Sequence, residues 1–296
     1  MLATLIDEPF HRPGWVYEEK YDGYRILAYK EGAKVTLLSR NGLDRTASFR
    51  AIADDVARLR PRTLLLDGEA VAFDENLVSR FQLLQQGEAP VVFAAFDCLY
   101  VDGHDLRDRP LSERREILER VIEGSERIFP ARRLATNGLT AHRIAKEKGF
   151  EGLIAKEASS AYVSGRSRRW LKVKVKQEDE FVIGGYTEPS GARSRFGALL
   201  VGGWRDGKLW YVGKVGTGFS EARLESLWRA FRPLVVAKPA FADPPRGRGI
   251  TWLRPELVAQ VAYTEWTADR KLRQPVFLGL RDDKRASEVT LPPNAP

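Results

Sequence analysis

The sequence predicts an α+β protein in two parts, and three observations carry that expectation. Short β-rich runs bounded by glycine, aspartate or asparagine recur from residue 15 to about residue 176, and helical spacing occurs in only a few segments between them. Strands and helices do not alternate regularly, so the sheets are expected to be largely antiparallel. After Lys176 the chain turns to strand-rich sequence with one helix, which sets domains at 1–176 and 177–296.

The elements follow in order. In the first domain, residues 24–29, 34–39, 64–66, 69–73 and 91–96 read as strands, and 49–59, 111–122 and 140–148 carry helical spacing. Glu178, Asp179 and Glu180 form a polar seam. Strands are then expected at 181–186, 197–204, 208–215, 257–267 and 276–281, with a helix at 220–231 capped by Ser220 and favoured at its positive end by Glu221. The segment 239–249, rich in Pro, Gly and Arg, reads as a loop, and 291–296 as a frayed end. Several strands around one helix suit a small Greek-key barrel of the OB type.

Composition narrows the function. With 43% apolar and 30% charged residues the chain is globular, and no stretch is built like a signal peptide or a membrane span, so the expected location is the cytosol. The single cysteine, Cys98, excludes an internal disulfide and a cysteine-rich zinc site. A net charge of +8 points toward a polyanion, of which nucleic acid is the commonest. There is no GxGxxG or GxxxxGK[ST] loop, which argues against a Rossmann or P-loop protein.

The chemistry-bearing boxes are KYDGYR at 20–25, SRNG at 39–42, LDGEAVAFD at 66–74, FAAFDCLYVDG at 93–103, EGLIAKE at 151–157, WLKVK at 170–174 and RDDK at 281–284. The first places a lysine, a carboxylate, a turn glycine and an arginine in one short reach, and a lysine so placed can be a nucleophile. In WLKVK, Lys172 and Lys174 alternate with Leu171 and Val173, so on a strand both amines face one side. In this order and with these gaps the boxes resemble the covalent nucleotidyltransferase superfamily, specifically the ATP-dependent DNA ligases. The opening LATLIDEP and the GRSRRWLKVK run are most similar to the ligase module of bacterial end-joining ligases, and the chain reads as that module alone.

That resemblance implies a nucleotidyltransferase (adenylation) domain followed by an OB-fold domain, with ATP and Mg²⁺ or Mn²⁺ as cofactors. It makes Lys20 the nucleophile that carries AMP as a phosphoramidate. Lys172 and Lys174 would supply the positive charge that lowers the amine's pKa. Glu69 would meet the ribose or a metal, and Glu151 the metal. Phe96 would lie against adenine, Glu18 would meet the adenine amino group, and Arg25 and Arg40 would contact ribose and phosphate. Arg281 and Lys284 would swing over the triphosphate to align pyrophosphate, so the first step would need domain closure.

The partner implied is double-stranded DNA with a 5′-phosphate at a nick or end, with Ku and a repair polymerase as protein partners, no membrane, and a monomeric enzyme. Arg166, Arg168, Arg169 and Lys176 form a basic run with no acidic residue, suited to backbone phosphates. Arg193 and Arg195, and Arg246 and Arg248, would extend that clamp. The same boxes would also serve an RNA ligase or a capping-type nucleotidyltransferase, and a catalytically silent nucleic-acid-binding module would keep the fold.

Overall fold

A computed structural model describes residues 1–87, 89–175, 177–189 and 195–291. Contacts divide the chain into two compact units, Met1–Lys176 and Gln177–Pro296. The first unit runs β1 (Leu2–Leu5), β2 (Trp15–Lys20), β3 (Tyr24–Glu31), β4 (Lys34–Ser39), α1 (Arg50–Arg58), β5 (Thr63–Ala72), α2 (Phe81–Gln86), β6 (Val91–Val101) and β7 (His104–Asp105). It continues with α3 (Leu111–Val121), β8 (Ile128–Pro130), β9 (Arg133–Ala135), α4 (Gly138–Lys148), β10 (Gly152–Glu157) and β11 (Arg166–Lys174).

These strands make two sheets. One has the order β1-β11-β10-β2-β9, antiparallel except for the parallel β1–β11 pair. Its back is apolar: Tyr17, Leu153, Ala155, Leu171 and Val173 pack with Ala141 of α4. Because neighbours along a strand point to opposite faces, the residues between them form the front. The other sheet has the order β4-β3-β5-β6-β7, with β8 parallel to β6. Ile26, Ala28, Leu64 and Leu66 from this sheet pack with Ile52 and Val56 of α1 and Leu118 of α3.

Helix α4 starts earlier than its spacing suggests, at Gly138, because the Asn137 side chain accepts hydrogen bonds from Leu139 N and Thr140 N. The sequence divides β5 at Gly68; the structure does not. Thr63–Ala72 is one strand, and Gly68 lies within it because a Cβ there would stand 2.5 Å from the Phe93 ring. The glycine marks a tight contact between strands and not a turn.

The second unit contains β12 (Glu178–Thr187), β13 (Leu199–Arg205), β14 (Lys208–Val215), α5 (Glu221–Phe231), β15 (Val235–Val236), β16 (Ile250–Leu253), β17 (Val258–Ala262) and β18 (Val276–Leu280). Ser220 caps α5, its hydroxyl accepting from Arg223 N. β12 is shared along its length: residues 178–182 pair with β17 and residues 185–187 with β16. The strand bulges against β13 between Ile183 and Gly185, where a Cβ on Gly184 would meet the Phe241 ring at 2.4 Å. Among the described residues the ladder does not close into a continuous barrel; an isolated bridge between Thr217 and Val276 links β18 to the chain after β14. The expected strand at 257–267 ends at Ala262, since Trp266 pairs back with Leu272. No helix among the described residues is long and apolar enough to cross a membrane.

Candidate active site

Strand register assembles the site. On the front of the first sheet, Lys20, Gly152 and Lys174 stand in one row across β2, β10 and β11, and Glu18, Ile154 and Lys172 in the next. Val16, Lys156 and Trp170 make a third row. Gly152 has no room for a side chain, since a Cβ would lie 2.2 Å from Val173 O. The opposing wall comes from the second sheet: Arg25 on β3, Glu69 on β5 and Phe96 on β6. Together these walls enclose a cavity of about 130 Å³ lined by Glu18, Lys20, Arg25, Glu69, Phe96, Lys156 and Trp170, among others. A whole cofactor fills a pocket of about 300 Å³ or more, so this space suits one flat part of a ligand, with the remainder outside.

Lys20 sits at the end of β2, and its ammonium forms an ion pair with the carboxylate of Glu151, just before β10. The turn that follows is fixed from below. Asp22 N donates to Ser79 Oγ at 2.9 Å, and the Asp22 carboxylate accepts from Phe81 N at 3.1 Å. Gly23 passes so close to β5 that a Cβ would stand 2.2 Å from Ala70 O. Asp22 therefore anchors the turn bearing Lys20.

Lys156 lies deepest. Its Nζ donates to Glu18 Oε2 at 2.6 Å and lies 4.5 Å from the centroid of Phe96 and 4.2 Å from that of Trp170. Burial pulls the Lys156 pKa down, and Glu18 opposes that shift. Glu18 Oε1 accepts from Arg115 Nη1 at 3.0 Å, so both oxygens of this buried carboxylate carry a cation. Phe96 and Trp170 meet edge to face, with centroids 5.8 Å apart. Arg25 grips Asp67 with two bonds, Nε to Oδ1 at 3.0 Å and Nη2 to Oδ2 at 2.6 Å, and its guanidinium lies 5.3 Å from the Phe96 centroid.

Other residues singled out in the sequence lie elsewhere. Arg40 is exposed on the turn after β4 and does not line the cavity. Arg166, Arg168 and Arg169 are exposed along the first half of β11, where pairing with β1 slips between Ala3 and Thr4. Arg166 Nη1 donates to Ala3 O at 2.8 Å, and Arg169 lies 3.4 Å from Glu157. Lys176 and Arg193 fall outside the described residues. Arg195 pairs with Glu225 at 2.8 Å, and Arg246 and Arg248 are exposed.

In the second unit, Arg281 is buried and holds Asp283 by two bonds of 2.8 Å. Glu180 lies 3.7 Å from Arg281 and 3.6 Å from Lys284, so the polar seam at the start of β12 serves both cations of the RDDK box.

Among the described residues no group of three or more His, Cys, Asp or Glu side chains is arranged as a metal site. Glu69 in the cavity and Glu151 beside Lys20 fit a sparser arrangement, in which Mg²⁺ takes a few carboxylate oxygens and completes its shell with water and phosphate. Sequence reasoning missed Lys156, Asp67, Tyr162, Arg114 and Arg115. For Lys156 a signal exists: it follows Gly152 and Ile154 at even spacing and so shares their face.

Comparison with known proteins gives a consistent result. Residues 1–174 match the family model "ATP dependent DNA ligase domain", and residues 192–284 match "ATP dependent DNA ligase C terminal region". The chain is 40% identical to the multifunctional non-homologous end joining protein LigD of Pseudomonas aeruginosa, covering 98% of this chain and 36% of that protein. The LigD of Mycolicibacterium smegmatis is also 40% identical, covering 93% of this chain and 37% of its own length. The chain thus spans 36–37% of the length of these curated relatives. A solved mycobacterial DNA ligase D, complexed with ATP and MES, superposes with a TM-score of 0.71 at 36% identity, covering 98% of both chains. With a family model matched from the first residue to the end of β11 and a second matched through the RDDK box, the chain belongs to the ATP-dependent DNA ligases.

Proposed function

We propose that this chain seals 5′-phosphate nicks or ends in DNA through an AMP adduct on Lys20. The observation that carries this reading is the row of Lys20, Gly152 and Lys174, which sets a nucleophile and a second ammonium on either side of a bare strand beside a base-sized cavity. In the first step the Lys20 ammonium gives up a proton, its amine forms a bond to the α-phosphorus of ATP as the bond to the bridging α–β oxygen breaks, and pyrophosphate leaves with that oxygen. The AMP then passes to the DNA 5′-phosphate, and attack by the 3′-hydroxyl releases it. Lys172 and Lys174 neutralise charge at phosphorus from the same face, and Glu151 holds the Lys20 ammonium in place before reaction. A magnesium or manganese ion held by Glu69 and Glu151 would add further charge neutralisation there.

The cavity supports ATP over GTP. Lys156 can only donate and the Glu18 carboxylate can only accept, and they sit side by side. Adenine presents an acceptor at N1 next to a donor at N6; guanine presents the opposite order. Phe96 and Trp170 supply apolar walls for a purine. Arg25 serves ribose or phosphate, Arg281 and Lys284 serve the pyrophosphate after closure, and the exposed Arg166, Arg168 and Arg169 serve DNA phosphates. Joining of double-strand breaks with Ku and a repair polymerase extends the reading, supported by the end-joining designation of the relatives.

The decisive measurement is intact-protein mass after incubation with ATP and Mg²⁺. An added AMP is expected on the wild type and none on Lys20→Ala; an adduct on both would remove Lys20 from the mechanism. Replacing ATP with GTP tests the base reading, and a GMP adduct of equal yield would point to capping-type chemistry.

A further inference from the structure

Tyr162 lies in the connection between β10 and β11, outside every box that the sequence displays. Its hydroxyl donates to Asp67 Oδ2 at 2.7 Å, the same oxygen that accepts from Arg25 Nη2 at 2.6 Å. Asp67 is fully buried, so its oxygens must be satisfied by neighbours and not by water. With one lone pair taken by Tyr162, the carboxylate is held in the orientation that gives Arg25 a two-pronged partner.

The connection carrying Tyr162 is itself tied down. Tyr162 N donates to Arg107 O at 2.7 Å, and Ser160 O accepts from Leu111 N and Arg114 Nη1, both at 2.9 Å. The Tyr162 ring meets Trp170 edge-on at 6.1 Å, and the Arg114 guanidinium lies 5.9 Å from its centroid. Arg114 is buried and bound to Asp97 at 2.7 and 2.8 Å. A side chain from the β10–β11 connection of one sheet thus reaches a carboxylate on β5 of the other, and braces the two walls of the cavity. Burial pushes the Tyr162 phenol well above its ordinary pKa, so the hydroxyl remains a donor at any working pH.

We propose that Tyr162 is a positioning residue for the nucleotide chemistry: through Asp67 it fixes the guanidinium of Arg25 against the cavity and the Phe96 ring. This rests on the assignment of Arg25 to ribose or phosphate given above. A positioning role differs from packing in one measurable way, since it exists only while Arg25 is present to be positioned.

The test is single-turnover formation of lysyl-AMP by the full chain as wild type, Tyr162→Phe, Arg25→Ala and the double variant. Phenylalanine keeps the ring contacts, so the variant should fold, with the melting temperature lowered only by the loss of one hydrogen bond to Asp67. Tyr162→Phe is expected to slow the step roughly tenfold, equivalent to about 1.4 kcal/mol. On the Arg25→Ala background the same change should alter the rate less than about twofold. A full loss on that background, or no loss in the single variant, would overturn the proposal. Wild-type rates for Arg25→Ala would instead overturn the assignment of Arg25, and the proposal with it. Should Arg25→Ala fail to fold, Arg25→Lys replaces it, because lysine keeps the charge without the two-pronged pair.

Discussion

Glu18 and Glu19 are consecutive on β2 and equally buried, at 2% exposure each, yet the two faces of the strand treat them differently. On the front, Glu18 receives a lysine and an arginine. On the back, Glu19 lies 3.3 Å from Arg132, but neither of its oxygens accepts a hydrogen bond among the described residues. Burial pushes the Glu19 pKa up to about 7, and Arg132 only partly offsets it. Burial sets the penalty on a charge, and the partners decide whether the charge survives it. The site is built on the face where each charge is matched.

The sharpest way to break that contrast is on the front. Lys156→Met leaves Glu18 with Arg115 alone and strips the donor from the cavity. Lysyl-AMP formation is expected to fall about a hundredfold, with a stability loss on the order of 3 kcal/mol, as for other half-broken buried pairs. Single-turnover labelling and urea melts read the two effects, and an unchanged labelling rate would show that the chemistry does not use this pair.

Glu19→Gln acts on the back and on stability. The unfolded carboxyl ionises near its ordinary value, 4.5, whereas the folded one keeps its proton to about pH 7. The folded state therefore binds more protons between these values, and wild-type stability should fall as pH rises from about 4.5 to 7, then level off with a deficit on the order of 3 kcal/mol. The variant should lack that slope. Urea melts at pH 5 and pH 8 give the comparison, and an identical pH dependence in both proteins would mean that Glu19 is solvated or paired in solution. The smallest effect belongs to the outer half of β11: Arg168→Ala is expected to weaken nick binding a few-fold and to reduce the salt slope by about one, read by titrations at several salt concentrations.

What the sequence discloses follows from how far each contact reaches. Lys20, Asp22 and Gly23 are visible because a tight turn needs neighbouring residues. Lys172 and Lys174 are visible as a pair because alternation along a strand is local. Asp67 stands within LDGE, but its partners are 42 and 95 positions away, and only folding brings Arg25 and Tyr162 to it. For Lys156 the even spacing after Gly152 and Ile154 gives the face, but its partners become visible only once β10 is seen to lie between β2 and β11. The continuity of β5 is hidden for a similar reason: Gly68 resembles a break, and the Phe93 ring that requires it belongs to another strand.

Gly152 separates β2 from β11 in the row that holds Lys20 and Lys174. Neighbouring strands lie about 4.8 Å apart, so the two lysine backbones stand roughly 10 Å from each other, across a strip of bare main chain. The bareness of that strip is what lets β11 come close, because Val173 O occupies the space a Cβ on Gly152 would need. One added methyl group at Gly152 would run into Val173 O and force β11 away from β10 while leaving every charge in place, so the spacing of the two lysines depends on a residue that carries no charge.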